Sequence, residues 1–130
     1  MGEMKLHDNW IFKRGDVYIA NLNPRKGSEQ GGIRPVLVLQ NDAGNFFCPT
    51  LIVAPLTSRL KKLELPVHYL LSEKPFLTEE SMVELEQIKT IDKLRIKSYL
   101  GKIDKSEMKQ IDEVIATSLG LFISETVEAP

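Results

Sequence analysis

Cysteine is almost missing from this chain. Cys48 is the only one, so no intrachain disulfide can form and a cysteine-rich zinc site is excluded by count. A reducing compartment is the expectation, and Cys48 beside Pro49 reads as a small apolar residue rather than a nucleophile. Histidine is nearly as scarce: His7 and His68 stand far apart with no partner at metal-ligand spacing, so no metal or other cofactor is expected. The few aromatic residues are scattered, which argues against an adaptor that grips extended peptides in an aromatic groove. No apolar run approaches the roughly 20 residues needed to cross a bilayer. Residues 1–12 carry Glu3 and Asp8 and lack the apolar stretch of about 7–15 residues found in a signal peptide, so a cytoplasmic protein is expected. The phosphate-binding P-loop, the dinucleotide fingerprint, GxSxG and HExxH are all absent, which removes the commonest nucleotide-dependent, serine-hydrolase and zinc-protease readings.

What is present suits one domain. A chain of 130 residues can bury a single modest core. Hydrophobic residues make up 42% and charged residues 27%, an ordinary globular balance. The net charge of -1 hides an asymmetry: residues 1–70 hold nine Lys and Arg against six Asp and Glu, and residues 71–130 hold eight against twelve. A basic working face on the first half is therefore compatible with an acidic whole.

The pattern is mainly that of short strands. Lys13-Arg14-Gly15-Asp16 is a turn signal leading into a strand over residues 17–22, VYIANL. Residues 23–33 contain three glycines and a proline without hydrophobic periodicity, and so form a long loop. Residues 35–40, PVLVLQ, read as a buried strand ended by Asn41, Asp42 and Gly44. Further strands are expected over residues 51–57, 67–71, 82–91 and 98–103, with Pro55 confining its strand to an edge or a bulge. Within residues 82–91, strict alternation would put Met82, Glu84, Glu86 and Ile88 on one side and Val83, Leu85 and Gln87 on the other. Gln87 is then either a satisfied margin residue or part of a cleft. Asp104 can cap a final helix, with Glu107 three residues on as in a capping box, and Met108, Ile111, Val114, Ile115, Leu119 and Phe122 recur at helical spacing. Roughly six strands and one terminal helix predict an α+β protein, mainly β: a small, strongly curved antiparallel barrel of the SH3-like kind.

One stretch invites chemistry. In residues 27–36, GSEQGGIRPV, a glycine-rich loop delivers Arg34 to the mouth of a strand, and Pro35 keeps its backbone out of the helical region. A guanidinium so placed is suited to gripping an oxyanion through two parallel donors. A surface arginine paired with Glu29 fits the local pattern equally well.

The runs RGDVYIANLNP, GSEQGGIRPVLVLQND, PTLIVAPLT and LEQIKTIDKLRI, in that order, resemble the MazF/PemK family of toxins from Lys13 to about Leu121. Residues 1–12 get no assignment, 13–122 form the toxin-like domain and 123–130 a tail. The resemblance implies an SH3-like barrel homodimer that cuts single-stranded mRNA without metal and is restrained by a cognate antitoxin in a bacterial cytoplasm. Cleavage by 2′-hydroxyl attack would leave a 2′,3′-cyclic phosphate and a 5′-hydroxyl. It also implies Arg34 and Thr57 as catalytic residues, with Ser28, Glu29, Gln30 and Gln87 as substrate contacts. The proton acceptor stays open: Glu29 is the natural chemical candidate and His68 an outside one. Arg25, Lys26, Arg59, Lys61 and Lys62 flank the region and could meet backbone phosphates. The alternative is a toxin of the same barrel that poisons DNA gyrase and cuts nothing. Such a toxin would have no use for an Arg and a Thr meeting at a cleft.

Overall fold

The alternation of apolar and polar residues becomes one antiparallel sheet. The structure is a computed structural model that describes residues 4–61 and 65–121; Lys62, Phe122 and the tail after it lie outside the described residues. Its strands are β1 (Met4–Lys5), β2 (Asp16–Asn21), β3 (Ile33–Val38), β4 (Thr50–Thr57), β5 (His68–Leu70), β6 (Met82–Glu84), β7 (Lys89–Asp92) and β8 (Ile96–Lys102). Two α-helices, α1 (Asp42–Phe47) and α2 (Lys105–Ser118), and a single 3-10 turn over Lys93–Arg95 complete the described fold. The strands run in the order β1-β8-β2-β3-β4-β6-β5, with β7 also paired to β4. The mainly β fold with a C-terminal helix is thus as expected, in the form of an open sheet whose two outermost strands are β1 and β5.

Two strands beyond the expected six have simple causes. β1 lies in the unassigned lead-in and pairs with β8, Met4 opposite Tyr99. The single strand expected over residues 82–91 is two strands, β6 and β7, separated by a turn in which the Gln87 N–H donates to the Glu84 carbonyl at 3.0 Å. Alternation across that turn fails accordingly: Met82, Val83, Glu84 and Leu85 are all buried.

Pro55 does not put β4 at an edge of the sheet. β4 is interior, with β3 on one side and β7 then β6 on the other. Its β7 ladder covers Thr50 to Val53 and its β6 ladder begins at Leu56. Proline therefore sits where the ladder is already interrupted, the place a missing N–H is best tolerated. The helix α1 stands where the sequence predicts only the end of a strand, because six residues with Gly44 inside carry no periodicity; Asn41 caps it by accepting from the Gly44 N–H.

Both faces of the central strands are covered, which explains the nearly continuous apolar run of β3. Val17, Leu37, Ala54, Leu56 and Val83 pack with Met108 and Ile111 of α2. Tyr18, Val36, Val38, Leu51 and Val53 form the opposite core with Phe12, against which Trp10 packs. The lead-in is therefore part of the packing, and the Trp10 indole N–H donates to the Tyr18 hydroxyl at 2.8 Å.

Asp104 caps α2 through the Glu107 N–H at 2.8 Å. The capping box is only half formed, because the Glu107 carboxylate turns instead to Ser72, Lys74 and Tyr69. The helix stops at Ser118, short of the expected reach to Phe122. Gly120 takes a positive φ of 75°, and Leu121 N–H closes back on the Ala116 carbonyl at 2.8 Å, the glycine-terminated stop that a left-handed residue permits.

Candidate active site

The loop between β2 and β3 is shaped by contacts that hold Arg34 from behind. Gly32 has a φ of 87°, a conformation that disfavours any side chain. Its carbonyl accepts from Leu22 N–H and its N–H donates to Asn23 Oδ1, both at 2.9 Å. From across the sheet Gln87 clasps the loop: its Oε1 accepts from the Gln30 N–H at 3.1 Å and its Nε2 donates to the Ser28 carbonyl at 3.3 Å. Glu29 is exposed, and its Oε1 accepts from the Lys26 N–H at 3.0 Å. It is not the partner of Arg34.

Arg34 sits in β3 opposite Ala20, extended as the following proline requires. Its Nε donates to the Gly31 carbonyl at 2.7 Å and its Nη1 to the Leu56 carbonyl at 3.3 Å. The Gln30 amide satisfies two neighbours at once. In the one orientation that suits both neighbours, assigned from their donors and acceptors, its oxygen accepts from Arg34 Nη2 at 2.9 Å and its nitrogen donates to Glu84 Oε1 at 2.8 Å. A guanidinium has five N–H groups, so this cage orients the arginine and still leaves it donors on both terminal nitrogens.

Thr57 ends β4 and is buried. Its hydroxyl oxygen accepts from the Arg59 N–H at 3.1 Å, so the hydroxyl is oriented with its own proton left to donate. Arg34, Thr57, Ser28, Glu29, Gln30 and Gln87 all line one open cleft of about 970 Å³. The six residues singled out from the sequence are thereby brought together. Arg25, Arg59 and Lys61 add positive charge to the same walls, whereas Lys26 is not among its lining residues.

The sequence reading missed Glu84, whose only signal was a carboxylate inside the apolar run MVEL. Burial raises its pKa above the usual range, and Glu86 adds to this while Arg34 and His68 oppose it. Arg34 is shifted the other way. Burial lowers its pKa, Glu84 opposes that, and Arg59 reinforces it. His68 lines the cleft on β5, opposite Glu84, with Nε2 at 2.8 Å from Glu86 Oε2. Among the described residues no group of three or more His, Cys, Asp or Glu could hold a metal ion.

The antiparallel sheet brings an oriented guanidinium and a threonine hydroxyl into one cleft with further cations on its walls, an arrangement whose chemistry suits an oxyanion. The chain belongs to the family described as PemK-like, MazF-like toxins of type II toxin-antitoxin systems, which it matches over residues 13–119. Solved structures agree. A MazF from Deinococcus radiodurans superposes with a TM-score of 0.75 at 26% identity, covering 86% of this chain and 99% of that one. An endoribonuclease in complex with its cognate antitoxin, from a Mycobacterial species, gives 0.71 at 27% identity, covering 86% and 98%. Another Mycobacterial endoribonuclease gives 0.70 at 24% identity over 88% and 96%, a likeness of fold. Among the described residues no helix is long and apolar enough to cross a membrane.

Proposed function

We propose that this toxin is a metal-independent, sequence-specific endoribonuclease of the bacterial cytoplasm that cuts single-stranded mRNA, acts as a homodimer and is silenced by a cognate antitoxin. The observation that carries this reading is the caged Arg34 guanidinium in the same cleft as the Thr57 hydroxyl. Family membership and the endoribonuclease and antitoxin-bound relatives support it.

Attack of a ribose 2′-hydroxyl on the neighbouring phosphorus builds negative charge on the phosphate oxygens before the 5′-oxygen leaves. The products are a 2′,3′-cyclic phosphate and a 5′-hydroxyl. Donors aimed in advance at that charge lower the barrier most, because they need not reorganise as it develops. Arg34 supplies two donors from a fixed plane, and Thr57 supplies a third. Glu29 is the exposed carboxylate on the cleft wall that a 2′-hydroxyl could reach. Arg25, Arg59 and Lys61 neutralise flanking phosphates, while Ser28, Gln30 and Gln87 shape the wall against which unstacked bases lie.

The test is cleavage of a single-stranded RNA by the purified chain with EDTA present. Arg34→Ala is expected to slow cutting about a hundredfold to a thousandfold, the usual effect of removing one preorganised donor. Thr57→Ala is also expected to lose cutting, with circular dichroism unchanged in both. Cleavage by either variant at the wild-type rate would remove that residue from the mechanism, and a wild type that cuts only after metal is added would end the metal-independent reading.

A further inference from the structure

We propose that Glu84 is a positioning residue of the cleft, which holds the Arg34 guanidinium in place through the side-chain amide of Gln30. The proposal rests on the endoribonuclease reading for its consequence in catalysis, but not for the coupling itself.

The argument begins from donors and acceptors. An ionised carboxylate can only accept, so Glu84 compels Gln30 to turn its NH₂ toward β6. The amide oxygen must then face the opposite way, where Arg34 Nη2 donates to it at 2.9 Å. The chain carboxylate, amide, guanidinium runs acceptor to donor in one direction, and each link polarises the next in a low-dielectric setting. Protonated Glu84 becomes a donor. Gln30 can then turn over, placing its NH₂ against the guanidinium N–H groups, and Arg34 loses one of its three anchors.

Glu84 is a carboxylate in a mostly apolar stretch of chain. Met82, Val83 and Leu85 beside it are buried and apolar, so a carboxylate among them weakens the packing it joins. It lines the same cleft as Arg34 and Thr57 and meets Arg34 through Gln30, so the Glu84→Gln variant has to separate a positioning role from that of a general base. The charged groups facing it are His68 on β5, Arg34 on β3 with Arg59 beyond, and Glu86 in the turn after β6. Burial, aided by Glu86, lifts Glu84 above the ordinary carboxylate range, so the relay should open at a milder acidity than an exposed glutamate would require.

The experiment follows the Gln30 side-chain amide by ¹⁵N–¹H NMR in the full chain as pH is lowered, alongside RNA cleavage over the same range. In the wild type the Gln30 signals should titrate with a midpoint above about 4.3, the reference for a free glutamate. In Glu84→Gln, which still offers an oxygen to Gln30, that titration should vanish, cutting should fall by less than about tenfold, and its acid limb should move to lower pH. Glu84→Asp keeps the charge but draws it back from Gln30, and should cut more slowly than Glu84→Gln. Gln30 signals that do not titrate, or that titrate alike without Glu84, would overturn the proposal. Loss of cutting in Glu84→Gln as complete as in Arg34→Ala would also overturn it, by making Glu84 a base. If the wild type cuts no RNA while Gln30 still follows Glu84, the nuclease reading fails and the coupling is supported.

Discussion

Glu84 carries its charge at the expense of the fold, so its effect on stability depends on pH. Burial and Glu86 raise its pKa in the folded state, so the folded chain holds this proton to a higher pH than the unfolded chain does. The resulting contribution to stability is fully present below the unfolded value of about 4.3 and is lost as pH rises through the folded one. Glu84→Gln is therefore expected to melt at a higher temperature than the wild type at pH 8, with the advantage shrinking as the pH approaches 4. Thermal unfolding at the two pH values checks this; a variant less stable than wild type at pH 8 would show that the Arg34 attraction outweighs burial. Stability given up at a working site is a common compromise. The same residue marks where sequence reading stops. The glycines before Arg34 and Pro35 after it, adjacent in the chain, single the residue out but leave two readings even, and only the family resemblance chooses between them. Glu84 meets Arg34 through Gln30 and by direct attraction of charge, from a strand about fifty positions away, and no local pattern reports such a pairing. Glu29, the nearer carboxylate, was weighed as a partner for Arg34 and turns instead to Lys26 N–H.

At the scale of elements, what periodicity records is what was legible. β2, β3, β4 and α2 each bury several apolar side chains, and each of them, with β8, lies within a few residues of where the sequence predicts it. The element α1 and the break between β6 and β7 depend on backbone hydrogen bonds in turns, which leave little mark on hydropathy. The start of α2 shows how far a local motif can mislead. Asp104 performs the capping role, but Glu107, which a capping box would turn back to the backbone, accepts from Ser72, Lys74 and Tyr69 and is buried. The two positions should thus differ in their cost to stability. Asp104→Ala removes a cap and is expected to lose about 1 kcal/mol. Glu107→Ala leaves the nearly buried Lys74 ammonium without its counter-charge, and is expected to lose about 3–5 kcal/mol. Urea unfolding of both variants gives the order directly; equal losses would mean that Lys74 finds water once Glu107 is gone.

For the whole molecule, the question is what the sheet leaves uncovered. Both faces of its central strands are filled, by α2 on one side and by the lead-in on the other. Large apolar side chains nevertheless remain at the surface, among them Ile33, Phe46, Phe47, Leu94 and Leu119. Single exposed apolar residues are unremarkable, but Phe46 and Phe47 lie against each other with ring centroids 4.9 Å apart, and Ile33 adjoins Arg34 at the start of β3. Apolar surface of this kind is commonly covered by association, and a two-fold partner is the usual way for identical chains to do so in closed form. The chain is therefore expected to sediment at twice its mass of 14.7 kDa at micromolar concentration. The outcome bears on the cleft as well as on assembly. An elongated RNA needs more wall than one sheet edge offers if several nucleotides are to be read. A chain that sediments as a monomer at that concentration and still cuts RNA at a fixed sequence would show that the wall formed by residues 28–34 and Gln87 suffices alone, and would remove the homodimer from the mechanism.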